Sequence, residues 1–214
     1  MKKISPQCAK CTVVRCKSDD KSQKLPHSCP TEKYSDLIEE SVKKLKIPKN
    51  HIINKALYGI MGKIMNPEKS REKFLWSRID EIIEYAKIRE MKKIGIATCY
   101  ALLHESKLLT DICESNGFEV ASVCCLCGEV KPGDVGLPGN ICCNSILQAE
   151  VLNHEKTELN IMVGLCLGHD ILFLRYAKAE TTTLIVKDRA FGHNPIAGIY
   201  LSQNPLYKDR FIKK

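Results

Sequence analysis

Cysteine is the residue this chain uses most unusually. Twelve of its 214 residues are cysteine, and all but one fall into two groups. The first is Cys8, Cys11, Cys16 and Cys29, spaced C-x2-C-x4-C-x12-C and followed by Pro30. The second comprises Cys99, Cys124, Cys125, Cys127, Cys142, Cys143 and Cys166. Thiolates are soft ligands that suit zinc and iron–sulfur clusters. Four of them in a segment poor in large apolar residues predict a module folded by its metal. Bacterial ferredoxin runs end in Cys-Pro, as this set does, whereas structural zinc sites usually draw on two C-x2-C pairs and this set has one. An iron–sulfur cluster is therefore the first expectation for this module and zinc the second. His27 reads as an exposed histidine rather than a substitute ligand. Cys113 stands apart: beside Leu109 and Ile112 in an amphipathic run, it reads as a buried thiol acting as a small hydrophobe.

The second group needs a fold to gather it. Four short apolar runs each end on chemistry. KIGIAT (93–98) ends at Cys99, and EVASV (119–123) at Cys124 and Cys125. LNIMVGL (159–165) ends at Cys166, with Gly168, His169 and Asp170 beyond. TTTLIV (181–186) ends at Lys187, Asp188 and Arg189. Helical patterns separate them at about 103–115, 143–154 and 170–178, spacing expected of amphipathic helices. Asn194-Pro195 predicts the cap and first turn of a short terminal helix. Strands alternating with helices predict an α/β fold with a small parallel sheet and right-handed crossovers. In such a sheet the carboxyl ends of the strands lie along one edge, where ligands bind.

The simplest four-ligand set on that edge takes one cysteine from each segment: Cys99, Cys125, Cys143 and Cys166. Cys124, Cys127 and Cys142 are rivals. Cys124 and Cys127 make a C-x2-C pair of their own, and each adjacent pair permits one ligand and one packed thiol. Spacing does not choose among them. His169 and Asp170 enter a helix N-terminus, which favours an anion. Lys187 and Arg189 follow a buried strand, and His193 and Asn194 form the next turn. Each has an ordinary reading alone, as a capping residue, a solvated loop charge or a plain N-cap. Together on one edge they become candidates for catalysis, for neutralising a thiolate cluster or for holding an anionic ligand.

Bulk properties narrow the class. Hydrophobic content of 44% and charged content of 27% are ordinary for a globular protein. No apolar stretch approaches the roughly 18 residues a membrane helix needs. MKKISPQC lacks the apolar core of a secretory signal, so a cytoplasmic protein is expected. Grouped cysteines in a reducing compartment read as ligands or redox groups rather than disulfides. The net charge of +8 is uneven: +5 over residues 1–30, +4 over 31–92 and −1 over 93–214. The lysines are scattered over helix faces with no aromatic-interleaved basic stripe, so nucleic-acid binding is not expected.

Three parts follow: a cysteine-rich module at 1–30, a helical segment at 31–92 and an α/β domain at 93–214. In the helical segment Thr31 is expected to cap a helix running to Lys46, with Leu37, Ile38, Val42 and Leu45 on one face. Pro48 should break it. A second helix is expected over 50–65, ended by Pro67, which then opens a third carrying Phe74, Leu75, Ile79, Ile82, Ile83, Tyr85 and Ala86. Their apolar faces suit association between copies as well as packing onto the sheet. GEVKPGDVGLPGN (128–140) reads as a long polar loop.

GLCLGHD (164–170), VKDR (186–189) and GHNP (192–195), behind a four-cysteine module, resemble an uncharacterised family of bacterial and archaeal metal-binding proteins. The resemblance implies metal binding, with cysteines at the positions of Cys99, Cys125, Cys143 and Cys166, and it makes Cys127 the weaker candidate. The paired cysteines of CCLCG (124–128) are also similar to the cysteine-rich domain of heterodisulfide reductases, although the spacings differ and the terminal C-x2-C is missing.

The leading expectation is thus a protein with two cysteine-ligated iron–sulfur centres, two [4Fe-4S] clusters. One relays electrons and the other exchanges them with a redox partner or a small anionic substrate. An open coordination position would make it an oxidoreductase. One alternative is a zinc-binding carrier or sensor. The other is a thiol-dependent enzyme with a structural zinc module, in which Cys166, before a helix N-terminus and near His169, is the reactive thiol.

Overall fold

The computed structural model describes residues 5–13, 16, 22–65 and 76–212. Helices come first: α1 (Pro30–Lys33), α2 (Ser35–Leu45), α3 (Pro48–Met65) and α4 (Arg78–Ile88). Strands and helices then alternate as β1 (Lys93–Thr98), α5 (Leu103–Ser115), β2 (Glu119–Cys124), α6 (Ser145–His154), β3 (Leu159–Val163), α7 (Leu167–Tyr176) and β4 (Glu180–Ile185). Two short helices close the chain, α8 (Ile196–Leu201) and α9 (Lys208–Phe211). The strands form one four-stranded sheet in the order β2-β1-β3-β4, and every pairing is parallel. The expected α/β class, a small parallel sheet flanked by helices, is what the chain adopts.

Two compact units are present, Met1–Gly62 and Lys63–Lys214. The larger one holds the sheet. Its central strands are buried on both faces, which is why they read as continuous apolar runs. Side chains alternate between two cores. Ile94 and Ile96 of β1 join Leu159, Ile161 and Val163 of β3 under Ile82, Ile83 and Ala86 of α4 and Leu109 and Cys113 of α5. Ala97 and Met162 turn to the other face, under Ala149 and Leu152 of α6 and Phe173 of α7. Cys99 and Cys125 belong to this second core. Helix α4 starts at Ser77, whose hydroxyl and backbone exchange hydrogen bonds with Asp80 in a capping box.

Several boundaries differ from expectation, each for a local reason. Tyr34, at φ −130° and ψ 45°, leaves the helical region and splits the first helix into α1 and α2. Pro48 opens α3 instead of merely ending α2, using the first helical position that proline tolerates. Helix α7 begins at Leu167, three residues before the expected Asp170. Asn194 makes no side-chain cap, and Pro195 is the N-cap of α8. Pro67, Phe74 and Leu75, expected in the third helix, lie outside the described residues. Among the described residues no helix is long and apolar enough to cross a membrane.

Candidate functional site

Parallel register brings the ends of three strands into one row. Thr98 of β1 stands opposite Cys124 of β2 and Val163 of β3. The next residues out are Cys99, Cys125 and Gly164. Backbone bonds fix them: Cys99 N–H donates to Val163 O at 3.1 Å, and Cys125 N–H donates to Thr98 O at 2.8 Å. The segment before α6 is pinned alongside, because Asn144 N–H donates to Cys125 O at 2.8 Å. That bond delivers Cys143, whose thiol donates to Cys125 Sγ at 3.5 Å. Cys166 follows as the N-cap of α7. At the mouth of the site, the Arg189 guanidinium donates from Nη2 to Cys166 Sγ at 3.2 Å.

Electrostatics ties the same residues together. Burial pushes the Cys125 thiol far up, and the neighbouring charges of Cys143 and Cys99 push it further; the Tyr100 N–H, donating to its sulfur at 3.4 Å, pulls the other way. Burial likewise raises Cys143, which also feels Cys166, Cys99 and Cys142. Arg189 holds its proton more tightly because of Cys166, with Cys99 a further contributor. Cys99 thus acts on both Cys125 and Cys143, and Cys166 acts on Cys143. Depth is unequal. Cys99 and Cys125 are 4% and 2% exposed, while Cys143 and Cys166 are half-buried.

The rival cysteines are placed differently. Cys127 is exposed on the turn after β2, where its N–H donates to Cys124 O at 3.0 Å. Cys124 is half-buried and packs against the second core. Cys142 is half-buried and directs its thiol to the carbonyl of Cys143 at 3.7 Å. Cys113 is fully buried in the first core, and burial raises its thiol to about 11.

The charged candidates divide by role. Asp188 Oδ1 accepts from the N–H groups of Ala190 and Phe191, at 2.9 and 3.0 Å. Its own N–H donates to His193 Nδ1 at 3.1 Å, and His193 N–H returns to Asp188 O at 2.8 Å. His193 is held at φ +66°. These bonds close the 188–193 loop on itself and aim Arg189 at Cys166, so His193 braces the loop. His169 and Asp170 lie in the first turn of α7, where burial lowers the histidine and raises the carboxyl. Asp170 Oδ1 is buried without a partner. Lys187 is half-buried, its side chain passing beside Gly164.

One positioning residue escaped the sequence reading. Gln148 of α6 is fully buried, and its Nε2 donates to Thr98 O at 3.1 Å and Val123 O at 2.7 Å. It clasps the ends of β1 and β2 one residue below Cys99 and two below Cys125. The signal was present: Ser145, Gln148, Ala149 and Leu152 fall at i, i+3, i+4 and i+7 and all are buried.

The N-terminal cysteines occupy the smaller unit. Cys8 opens a single 3-10 turn in which Cys11 N–H donates to Cys8 O at 3.1 Å. Cys29 caps α1, where the Thr31 hydroxyl and then the N–H groups of Thr31 and Glu32 hold its thiol below the usual range. Cys8 and Cys16 are exposed, and Cys11 and Cys29 half-buried. Leu25 is the one buried residue described before Pro30, in keeping with a segment that has little core. Among the described residues no three His, Cys, Asp or Glu side chains close around a single metal ion.

Fold and site together define an α/β protein with a thiol-lined carboxyl edge. The chain belongs to the family described as "Protein of unknown function (DUF1847)", whose model matches residues 29–184. It is 50% identical over 134 residues to "Uncharacterized protein MJ0455" of Methanocaldococcus jannaschii, a match covering 58% of this chain and 67% of the relative. No solved structure matches. The family match takes in Cys29 and the edge cysteines; Cys8, Cys11, Cys16 and the 186–195 loop lie outside it.

Proposed function

We propose that the protein holds a metal centre at the carboxyl edge of its sheet through Cys99, Cys125, Cys143 and Cys166. We read that centre as an iron–sulfur cluster serving electron transfer to a redox partner or reduction of a small anionic substrate. What supports this reading is placement: Cys99 and Cys125 follow adjoining strand ends, the Cys143 thiol lies 3.5 Å from Cys125 Sγ, and Cys166 opens α7 against Arg189. Packing alone would accept any small apolar residue there. Thiols that press on one another resist ionising, a cost that a bound cation reverses.

The donor set suits a soft metal. A cluster bearing four thiolates is anionic, and two groups are in place to meet that charge: Arg189 against Cys166 and the Tyr100 N–H against Cys125. An iron–sulfur cluster supplies one-electron transfer when bound. In the smaller unit, Cys8, Cys11, Cys16 and Cys29 would hold a second centre. The 3-10 turn brings the C-x2-C residues within one turn, and the start of α1 favours Cys29 as thiolate.

Zinc has one observation in its favour. The 3.5 Å between Cys125 and Cys143 is near the ~3.8 Å that separates two sulfurs on one tetrahedral zinc with Zn–S of about 2.3 Å.

Iron, zinc and acid-labile sulfide in anaerobically purified protein, with a visible spectrum, decide between the two. About eight irons and eight sulfides are expected for two four-iron clusters. Cys11→Ala and Cys166→Ala should each lose about half. Zinc without sulfide would overturn the electron-transfer reading. Full iron in Cys166→Ala would remove Cys166 from the ligand set.

A further inference from the structure

Two sulfurs of the edge site are in direct contact, and this bears on how the site is regulated. Cys143 Sγ lies 3.5 Å from Cys125 Sγ. The main chain fixes the approach: Asn144 N–H donates to Cys125 O, and Asn144 also caps α6 by accepting from Leu147 N–H. Cys125 in turn is anchored to Thr98 O through its own N–H. Reaching the disulfide length of about 2.05 Å asks the sulfurs to close by about 1.5 Å. Access is one-sided, since Cys125 is 2% exposed and Cys143 half-buried.

We propose that Cys125 and Cys143 are a reversible dithiol–disulfide pair that closes when the site is without its metal and is oxidised by a low-molecular-weight disulfide. The link to metal rests on the proposed centre; the pair itself does not. The steps balance. Cys143 Sγ attacks one sulfur of the small disulfide, forming a mixed disulfide, and its proton leaves with the first small thiol. Cys125 Sγ then attacks the sulfur of Cys143. The bond to the second small thiol breaks, and that thiol takes the Cys125 proton. The protein has given up two hydrogens, and one small disulfide has become two thiols. Two of the four edge ligands are then unable to bind metal, so occupancy and oxidation exclude each other. A small thiol in excess reverses the sequence.

The test uses the full chain, stripped of metal with a chelator and exposed to oxidised glutathione. Remaining thiols are blocked, and the digest is read by mass spectrometry. Cleavage after Glu119, Glu129 and Glu150 separates the peptide holding Cys124, Cys125 and Cys127 from that holding Cys142 and Cys143. We expect a cross-link between these two peptides that dithiothreitol removes. It should fall at least tenfold in Cys125→Ser and in Cys143→Ser, and persist in Cys124→Ser and Cys127→Ser. Protein never stripped should cross-link at least tenfold less. No cross-link in the stripped wild-type protein, or an equal one in Cys125→Ser, overturns the pair. Metal content of the same samples keeps the two readings apart. A cross-link in protein that takes neither iron nor zinc supports the pair and sinks the centre. Metal-loaded protein that gives no cross-link after stripping sinks the pair and spares the centre.

Discussion

Replacing Gln148 tests whether the strand ends are held from below. Gln148→Met keeps the length of the side chain and removes its polar atoms. Two buried hydrogen bonds disappear, to Thr98 O and Val123 O, each contributing about 1 kcal/mol. Thr98 O keeps the N–H of Cys125, so its loss is at the low end. Gln148 Oε1 is buried with no partner, and deleting it returns part of the difference. The net cost is about 1–2 kcal/mol, which lowers Tm by about 2–8 °C in a protein of this size. Gln148→Glu is the informative contrast: nearly isosteric, it faces two carbonyl oxygens with a carboxylate in a dry site and should be less stable than Gln148→Met. Anaerobic thermal melts in reductant give the ranking. Maleimide labelling of Cys99 and Cys125 should also quicken in both variants as the ends of β1 and β2 loosen. A Gln148→Met protein that melts within 1 °C of wild type, with unchanged labelling, would refute the clasp.

Gly164 sits at φ +61°, and a Cβ there would run into Leu102 Cδ1. Gly164→Ala should cost about 1–3 kcal/mol from strain and crowding combined, seen as a Tm lower by at least about 2 °C; an unchanged melt would show that Leu102 yields freely. Tyr85 donates to Glu180 at 2.5 Å and accepts from Arg89 at 2.7 Å, and burial, then Glu180, raises its hydroxyl to about 12. A raised folded value means its stabilisation is complete below the unfolded value of about 10 and is lost as pH climbs toward 12. Denaturant melts should therefore show wild type more stable than Tyr85→Phe at pH 8 and the gap shrinking above about pH 10; a constant gap would contradict the assignment.

Strands were legible where burial on both faces leaves one kind of residue to use. KIGIAT is β1 to the residue, and the helix after it runs 103–115 as its pattern implies. β4 was legible through its three threonines, which are β-branched even though half-buried. Legibility failed where a helix starts without its usual polar cap. Cys166 caps α7 with no side-chain hydrogen bond, and exposed Leu167 and Gly168 gave the sequence a loop-like look. The bracing of the charged loop was illegible for a different reason. Side-chain type marks His193 as a candidate for chemistry, but its bonds to Asp188 belong to the backbone path of six residues, which no spacing rule encodes. Gln148 was hidden by its polarity, since a lone amide in an apolar stripe declares its partners only once the stripe has a sheet beneath it.

Which thiols meet follows from strand register more than from any local motif. Thr98 is opposite both Cys124 and Val163, so one step outward puts Cys99, Cys125 and Gly164 in line. Side chains alternate by strand position, and Cys99 and Cys125 share the α6–α7 face with Ala97 and Val123. A slip of one residue in β2 would bring Cys124 level with Cys99 and send Cys125 toward the other face. The choice within the Cys124-Cys125 pair, open on spacing, thus becomes a question of pairing between β1 and β2. Gly164 then adds the extra step that β3 needs. Its left-handed conformation bends the chain around Leu102, and two residues later Cys166 stands at the mouth under Arg189 rather than in the dry row with Cys99 and Cys125. The site is therefore asymmetric by construction. Two thiols are fixed by the sheet, one by a bond from the loop before α6, and one by a glycine turn, and it is the last that meets the Arg189 guanidinium.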